Sequence, residues 1–192
     1  MSNHKIMLCF VRSDSDILEA SWLNRAAAAL ANTEQDEVPF IHAELLFVPP
    51  NSQSGTDTVA GLACSIVYNG SVHLESKRFS RKEWFFRSME CSKGQYDTMM
   101  DFCKQHQGEG FNHLGYFMYW SPLRPSPTAY QWLGLRPRWY CSEIVIGALK
   151  QGEILDDSVS NSMHPHELYK IVQDNSMADC GRNMQQVNLR FV

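Results

Sequence analysis

Apolar residues recur along the chain with two different periods, and the changes of period mark its elements. Residues 5–11 form a short apolar run that predicts a first strand. Over residues 16–31, Leu18, Trp22, Leu23, Ala26 and Leu30 recur at helical spacing, with Asp14 or Ser15 as cap, and predict a helix. Residues 39–48, bounded by Pro39 and Pro49-Pro50, are almost continuously apolar and predict a buried strand. Polar residues 51–57 predict a loop. Residues 59–68 and 71–78 flank Asn69-Gly70, the signal of a hairpin closed by a two-residue turn.

Further on, residues 84–91 predict another strand. Residues 95–107 predict a helix with Tyr96, Met99, Met100 and Cys103 on one face, widened by Phe102. Residues 138–150 predict a helix opened by Pro137 and closed by Gly152. A short helix over 164–172 and a final strand over 186–192 complete the pattern. Between them, residues 108–137 lose all periodicity and are rich in Gly, Pro and aromatics, including Phe111, Tyr116, Phe117, Tyr119, Trp120, Tyr130 and Trp132. That composition predicts a packed loop beside a site rather than a linker. No repeat, low-complexity stretch or linker interrupts the chain, so one domain over residues 1–192 is expected.

Composition narrows the function classes. With 44% hydrophobic and 20% charged residues, the 192-residue chain can bury a core of useful size. A net charge of -4 argues against nucleic acid or an anionic membrane as the main partner. No run reaches the ~18 apolar residues of a membrane span. Residues 1–5 are polar, and the apolar run after them is too short for a secretory leader. The six cysteines are widely and irregularly spaced with no CxxC, which fits free thiols in a reducing, cytoplasmic setting.

One cysteine stands apart. Cys141, in Pro137-Arg138-Trp139-Tyr140-Cys141-Ser142-Glu143-Ile144-Val145, falls in the first turn of an apolar helix. There the unsatisfied N–H groups and the positive end of the helix dipole favour a thiolate and can stabilise an oxyanion. A thiol needs a base, and His42 is the candidate, a polar residue inside the buried strand. Period-two geometry puts His42 and Glu44 on the same face, where the carboxylate could orient the imidazole. Cys9, Cys64, Cys91, Cys103 and Cys180 read as small buried hydrophobes. His164 and His166 read as a helix start rather than a metal site, and Lys77, Arg78, Arg81 and Lys82 as a solvated face.

A histidine strand, a hairpin, and a later aromatic-Cys-Ser-Glu-aliphatic helix start resemble the circularly permuted papain-like hydrolases of the NlpC superfamily. The likeness is nearest to the YiiX/YaeF-like bacterial proteins and their poxvirus relatives. It rests on Trp139 to Val145 and on His42 within the strand, and covers residues 40–150 in outline. The order of the two motifs is the reverse of papain's, as permuted members require.

The resemblance implies an α+β fold in which an antiparallel sheet packs against the helix carrying the nucleophilic cysteine. It also implies a Cys–His pair with a polar orienting residue, acting on amide, ester or thioester carbonyls. Many members draw the orienting residue from the strand after the histidine, so His73 and Glu75 stand as alternatives to Glu44. A His-His-Cys order is also that of acyltransferases of the lecithin:retinol type, whose cysteine motif is absent here. The expectation is a cysteine hydrolase needing no metal or organic cofactor, whose substrate is a peptide, a modified protein, a cell-wall amide or an acyl lipid. The competing expectations are a retired fold with a structural or host-interaction role, viral in setting, and a protease for ubiquitin-like modifiers.

Overall fold

The computed structural model describes residues 4–16, 22–31, 33–34, 37–49, 57–118, 127, 130–131 and 134–177. Ten elements follow in chain order: β1 (His4–Arg12), α1 (Trp22–Leu30), β2 (Phe40–Val48), β3 (Thr58–Ser65), β4 (His73–Ser80), β5 (Phe85–Cys91), α2 (Lys93–Gln105), α3 (His113–Phe117), α4 (Cys141–Gln151) and α5 (Pro165–Met177). The strands form one antiparallel sheet in the order β4-β3-β2-β1-β5. The fold is therefore α+β.

β2 is the central strand, which explains its unbroken apolar run: both of its faces are covered. On one face Ile6, Leu8, Phe10, Ala43, Leu45, Phe47 and Cys64 pack with residues of α2, α4 and α5 into the main core. On the other, Met7, Cys9, Leu46, Val48, Val59, Ala63 and Phe79 form a smaller cluster closed by Trp84 and Phe86. β3 lies tight on β2 because Gly61 has no side chain; a Cβ there would stand 2.3 Å from the Phe47 carbonyl oxygen.

The β2–β3 pairing is short. It joins Leu45, Leu46 and Phe47 to Cys64, Ala63 and Leu62, whereas β1 pairs with β2 from Lys5 to Arg12. The first half of β2, which carries His42, thus has a described strand on one side only. No described helix is long and apolar enough to cross a membrane.

Several boundaries differ from the sequence reading, each for a local reason. The hairpin exists, but Asn69-Gly70 does not close it as a two-residue turn. Gly70 N–H donates to the Val67 carbonyl (2.9 Å), Asn69 takes a left-handed φ of 61°, and residues 66–72 form a wider connection. There Ser71 pairs with Gly110 instead of continuing the strand. α2 begins two residues early because Ser92 caps it, accepting from Gln95 N–H at 3.2 Å.

α4 begins at Cys141 rather than Arg138. Trp139 is held extended in a bridge to Phe111, donating to Gly110 O (3.1 Å) and accepting from Asn112 N–H (2.8 Å). The early part of the first predicted helix, most of the 51–57 loop, Tyr119, Trp120, Trp132, Cys180 and the final strand lie outside the described residues.

Candidate active site

Tyr140 is extended (φ -114°, ψ 174°) and caps α4, so Cys141 is the first helical residue. Its N–H and that of Ser142 have no carbonyl one turn back within the helix and point out of its positive end. A buried polar network fixes this helix start. Glu143, fully buried, accepts from Tyr140 N–H (3.1 Å), Asn112 Nδ2 (3.2 Å) and Ser162 Oγ (2.7 Å). Asn112 Oδ1 in turn accepts from Gly115 N–H and from the Tyr130 hydroxyl, each at 2.9 Å. Ser142 Oγ donates to the Met163 carbonyl, tying α4 to the segment before α5.

His42 meets this helix start where β2 lacks β3 as a neighbour. Its ring hydrogen-bonds Glu44 and lies close enough to the Cys141 sulfur to interact with it electrostatically. Nε2 stands 3.1 Å from Glu44 Oε1. Burial alone would lower the imidazole pKa, but the neighbouring Cys141 sulfur and Glu44 together raise it from 6.5 to about 10. The ring therefore holds its proton at neutral pH, opposite the ionised Glu44.

Glu44 is 1% exposed and His42 18%. Burial would raise the Glu44 pKa, but the His42 and Lys77 contacts outweigh it and hold the carboxyl below its usual range. Lys77 Nζ reaches Glu44 Oε1 at 2.7 Å. It also lies 5.0 Å from the Phe79 ring centre and 5.2 Å from that of Trp84, which meets the His42 ring edge-on at 6.1 Å. Tyr116 of α3 completes the surroundings: burial pushes its hydroxyl pKa well up, and the nearby Cys141 adds to the effect. An apolar cleft lined by Ala27, Leu30, Tyr116, Tyr140, His164 and Pro165 adjoins the start of α4.

Of the residues singled out from sequence, Cys141, His42 and Glu44 come together. His73 and Glu75 do not join them: they pair with each other near the surface of β4 (3.5 Å), and His73 Nδ1 also meets Ser71 O. The reading of Lys77 as part of a solvated face is corrected, because it forms an ion pair with a buried carboxylate. Its place in β4 was the available signal, since Lys77 alternates with the buried Phe79 on one face.

Among the described cysteines, Cys9, Cys64, Cys91 and Cys103 are buried and free, and burial raises the Cys9 thiol well above its usual range, Glu44 adding to it. His164 Nε2 donates to the Ala27 carbonyl (3.0 Å), and its burial lowers its pKa to about 4. His166 lies 3.1 Å from Glu37. No group of three potential metal ligands occurs among the described residues. Comparison with protein-family models, with curated sequences and with solved structures gives no match for this chain.

Proposed function

We propose that the chain is a cysteine hydrolase with a permuted papain-like, NlpC-type arrangement, cleaving an amide, isopeptide, ester or thioester bond. The observation that carries this reading is the His42 ring, hydrogen-bonded to a buried carboxylate and set beside the sulfur of a helix-start cysteine. The Cys141 thiolate attacks the substrate carbonyl carbon, and the carbonyl oxygen takes the negative charge against the N–H groups opening α4. His42 gives its proton to the leaving amine, alkoxide or thiolate as the tetrahedral species collapses to an acyl-enzyme. Water then attacks that thioester while His42 accepts its proton, and acid and thiolate separate. Glu44 fixes the ring and stabilises the imidazolium. The aromatic segment is read as a substrate wall; its Tyr116 lines, with Tyr140, a small apolar hollow next to the start of α4.

A second reading, a retired hydrolase fold serving as a structural or interaction protein, is favoured by one observation: Cys141 is only 5% exposed. Iodoacetamide and an acyl electrophile, followed by peptide mass spectrometry, separate the two. The hydrolase reading expects selective labelling of Cys141 well below pH ~8.5, the range of a free thiol. Labelling of another cysteine first, or an inert Cys141 in folded protein, would overturn it.

A further inference from the structure

Glu44 is bound unevenly. Oε1 receives both His42 Nε2 (3.1 Å) and Lys77 Nζ (2.7 Å), while Oε2 is buried with no partner among the described residues. A carboxylate so placed keeps its charge only while a cation faces it. In the reaction proposed above, His42 cannot be that cation throughout, because it becomes neutral whenever it hands its proton to the leaving group. At that moment Glu44 would be a buried anion beside a neutral ring, and would compete for the proton that the next step must use.

The titratable groups facing Glu44 are His42 on its own strand, Cys9 opposite it on β1, Lys77 from β4 and, beyond the ring, Cys141. Cys9 is an uncharged thiol there, raised by its burial, and Cys141 enters the proposed reaction as an anion rather than a cation. Lys77 is the group whose charge stays constant. Its ammonium is also held in place, packed against the rings of Phe79 and Trp84, so the contact to Glu44 is not that of a freely moving surface lysine.

We infer that Lys77 is a positioning residue of this site: its ammonium keeps Glu44 ionised and aimed at His42 while the imidazole is neutral. The inference rests on the assignment of Cys141 and His42 as nucleophile and base. It adds a fourth residue to the sequence of contacts, one that touches neither substrate nor sulfur.

The test uses the full chain with Lys77→Met, which keeps an unbranched apolar stem against Phe79 and Trp84, and Lys77→Arg, which keeps the charge. Two readouts are taken across pH: the rate of Cys141 alkylation by iodoacetamide, and the carboxyl-carbon and imidazole NMR signals of Glu44 and His42. In Lys77→Met the Glu44 carboxyl titrates at higher pH, the acid limb of the alkylation profile moves up by at least about one pH unit, and alkylation on that limb falls about tenfold. Lys77→Arg restores both.

A merely structural lysine would lower the melting temperature and leave both profiles in place. Unchanged Glu44 titration and unchanged alkylation limb in Lys77→Met would overturn the inference, as would failure of a folded Lys77→Arg to restore them. If Lys77→Met does not fold, Lys77→Gln carries the same measurement. An inert Cys141 in the unsubstituted protein would sink the hydrolase reading instead, and the Glu44 titration would still decide whether Lys77 keeps that carboxylate ionised.

Discussion

Replacing Glu44 by glutamine probes the charge state of the site directly. The side chain keeps its shape but loses its charge: the amide oxygen can take the place of Oε1, 2.7 and 3.1 Å from Lys77 Nζ and His42 Nε2, with the N–H₂ in the place of the unpartnered Oε2. A carboxylate within hydrogen-bond distance typically shifts a partner's pKa by about 1–3 pH units, at about 1.4 kcal/mol per unit. His42, raised to about 10 in the native protein, should therefore titrate at least about one unit lower in the variant. The remaining elevation is the part due to Cys141.

The sign for stability follows from the same shift. The His42 contribution is fully present below pH 6.5 and is lost as pH rises through about 10, so the variant should lose it earlier on the alkaline side. The assay is an imidazole NMR titration of His42 on native protein and variant, paired with urea unfolding at neutral and alkaline pH. Because imidazole and thiol share a proton, the midpoint belongs to the pair, and a Cys141→Ala background isolates the carboxylate's share. If Glu44→Gln leaves the His42 midpoint in place, the carboxylate does not hold the ring and the orienting role assigned to it is wrong.

Other substitutions test separate parts of the argument. Cys141→Ala should abolish turnover of any substrate later identified and change stability by about 1 kcal/mol or less in urea unfolding, since only one small side chain is removed. A much larger loss would mark Cys141 as a packing residue. Gly61→Ala forces a Cβ to within 2.3 Å of the Phe47 carbonyl and should cost about 1–3 kcal/mol, read by the same unfolding curves; a neutral outcome would contradict the close β2–β3 approach. Ser162→Ala removes one donor from the buried Glu143 carboxylate and should cost about 1–3 kcal/mol while slowing Cys141 alkylation, because the start of α4 loosens. On the acid side, stability held by Glu44 is present above pH 4.5 and is lost as pH falls through its lowered native value; a Glu44→Gln variant should lack that acid step.

The strands and helices were legible because their signals are local. The unbroken apolar run of β2 follows from its central position, and the stripe of α2 follows from Met99 and Cys103 facing the core. The errors lie where a residue's partner is distant in sequence. The start of α4 could not be placed from Pro137, because Trp139 is kept extended by Gly110 and Asn112, residues that precede it by more than one turn of any helix. The Asn69-Gly70 turn was likewise displaced by pairing of Ser71 with Gly110. In both places a contact made by the 108–112 segment outweighs the local preference.

The candidate site divides in the same way. His42 and Glu44 could be found because a titratable pair on one face of an otherwise apolar strand requires a compensating partner, and Cys141 because a helix start changes the chemistry of a thiol. Lys77 could not, since a lysine among Arg78, Arg81 and Lys82 looks like any solvated run until its strand is set beside another. In the proposed reaction His42 loses its proton, and a carboxylate of 1% exposure beside it then needs a second cation, a charge that lysine or arginine keeps across that step. The structure supplies both halves of that pairing: the burial of Glu44 and the Lys77 ammonium 2.7 Å from it. The next sequence of this kind can be searched for the same feature: a basic residue that alternates with a buried aromatic on a strand following the histidine.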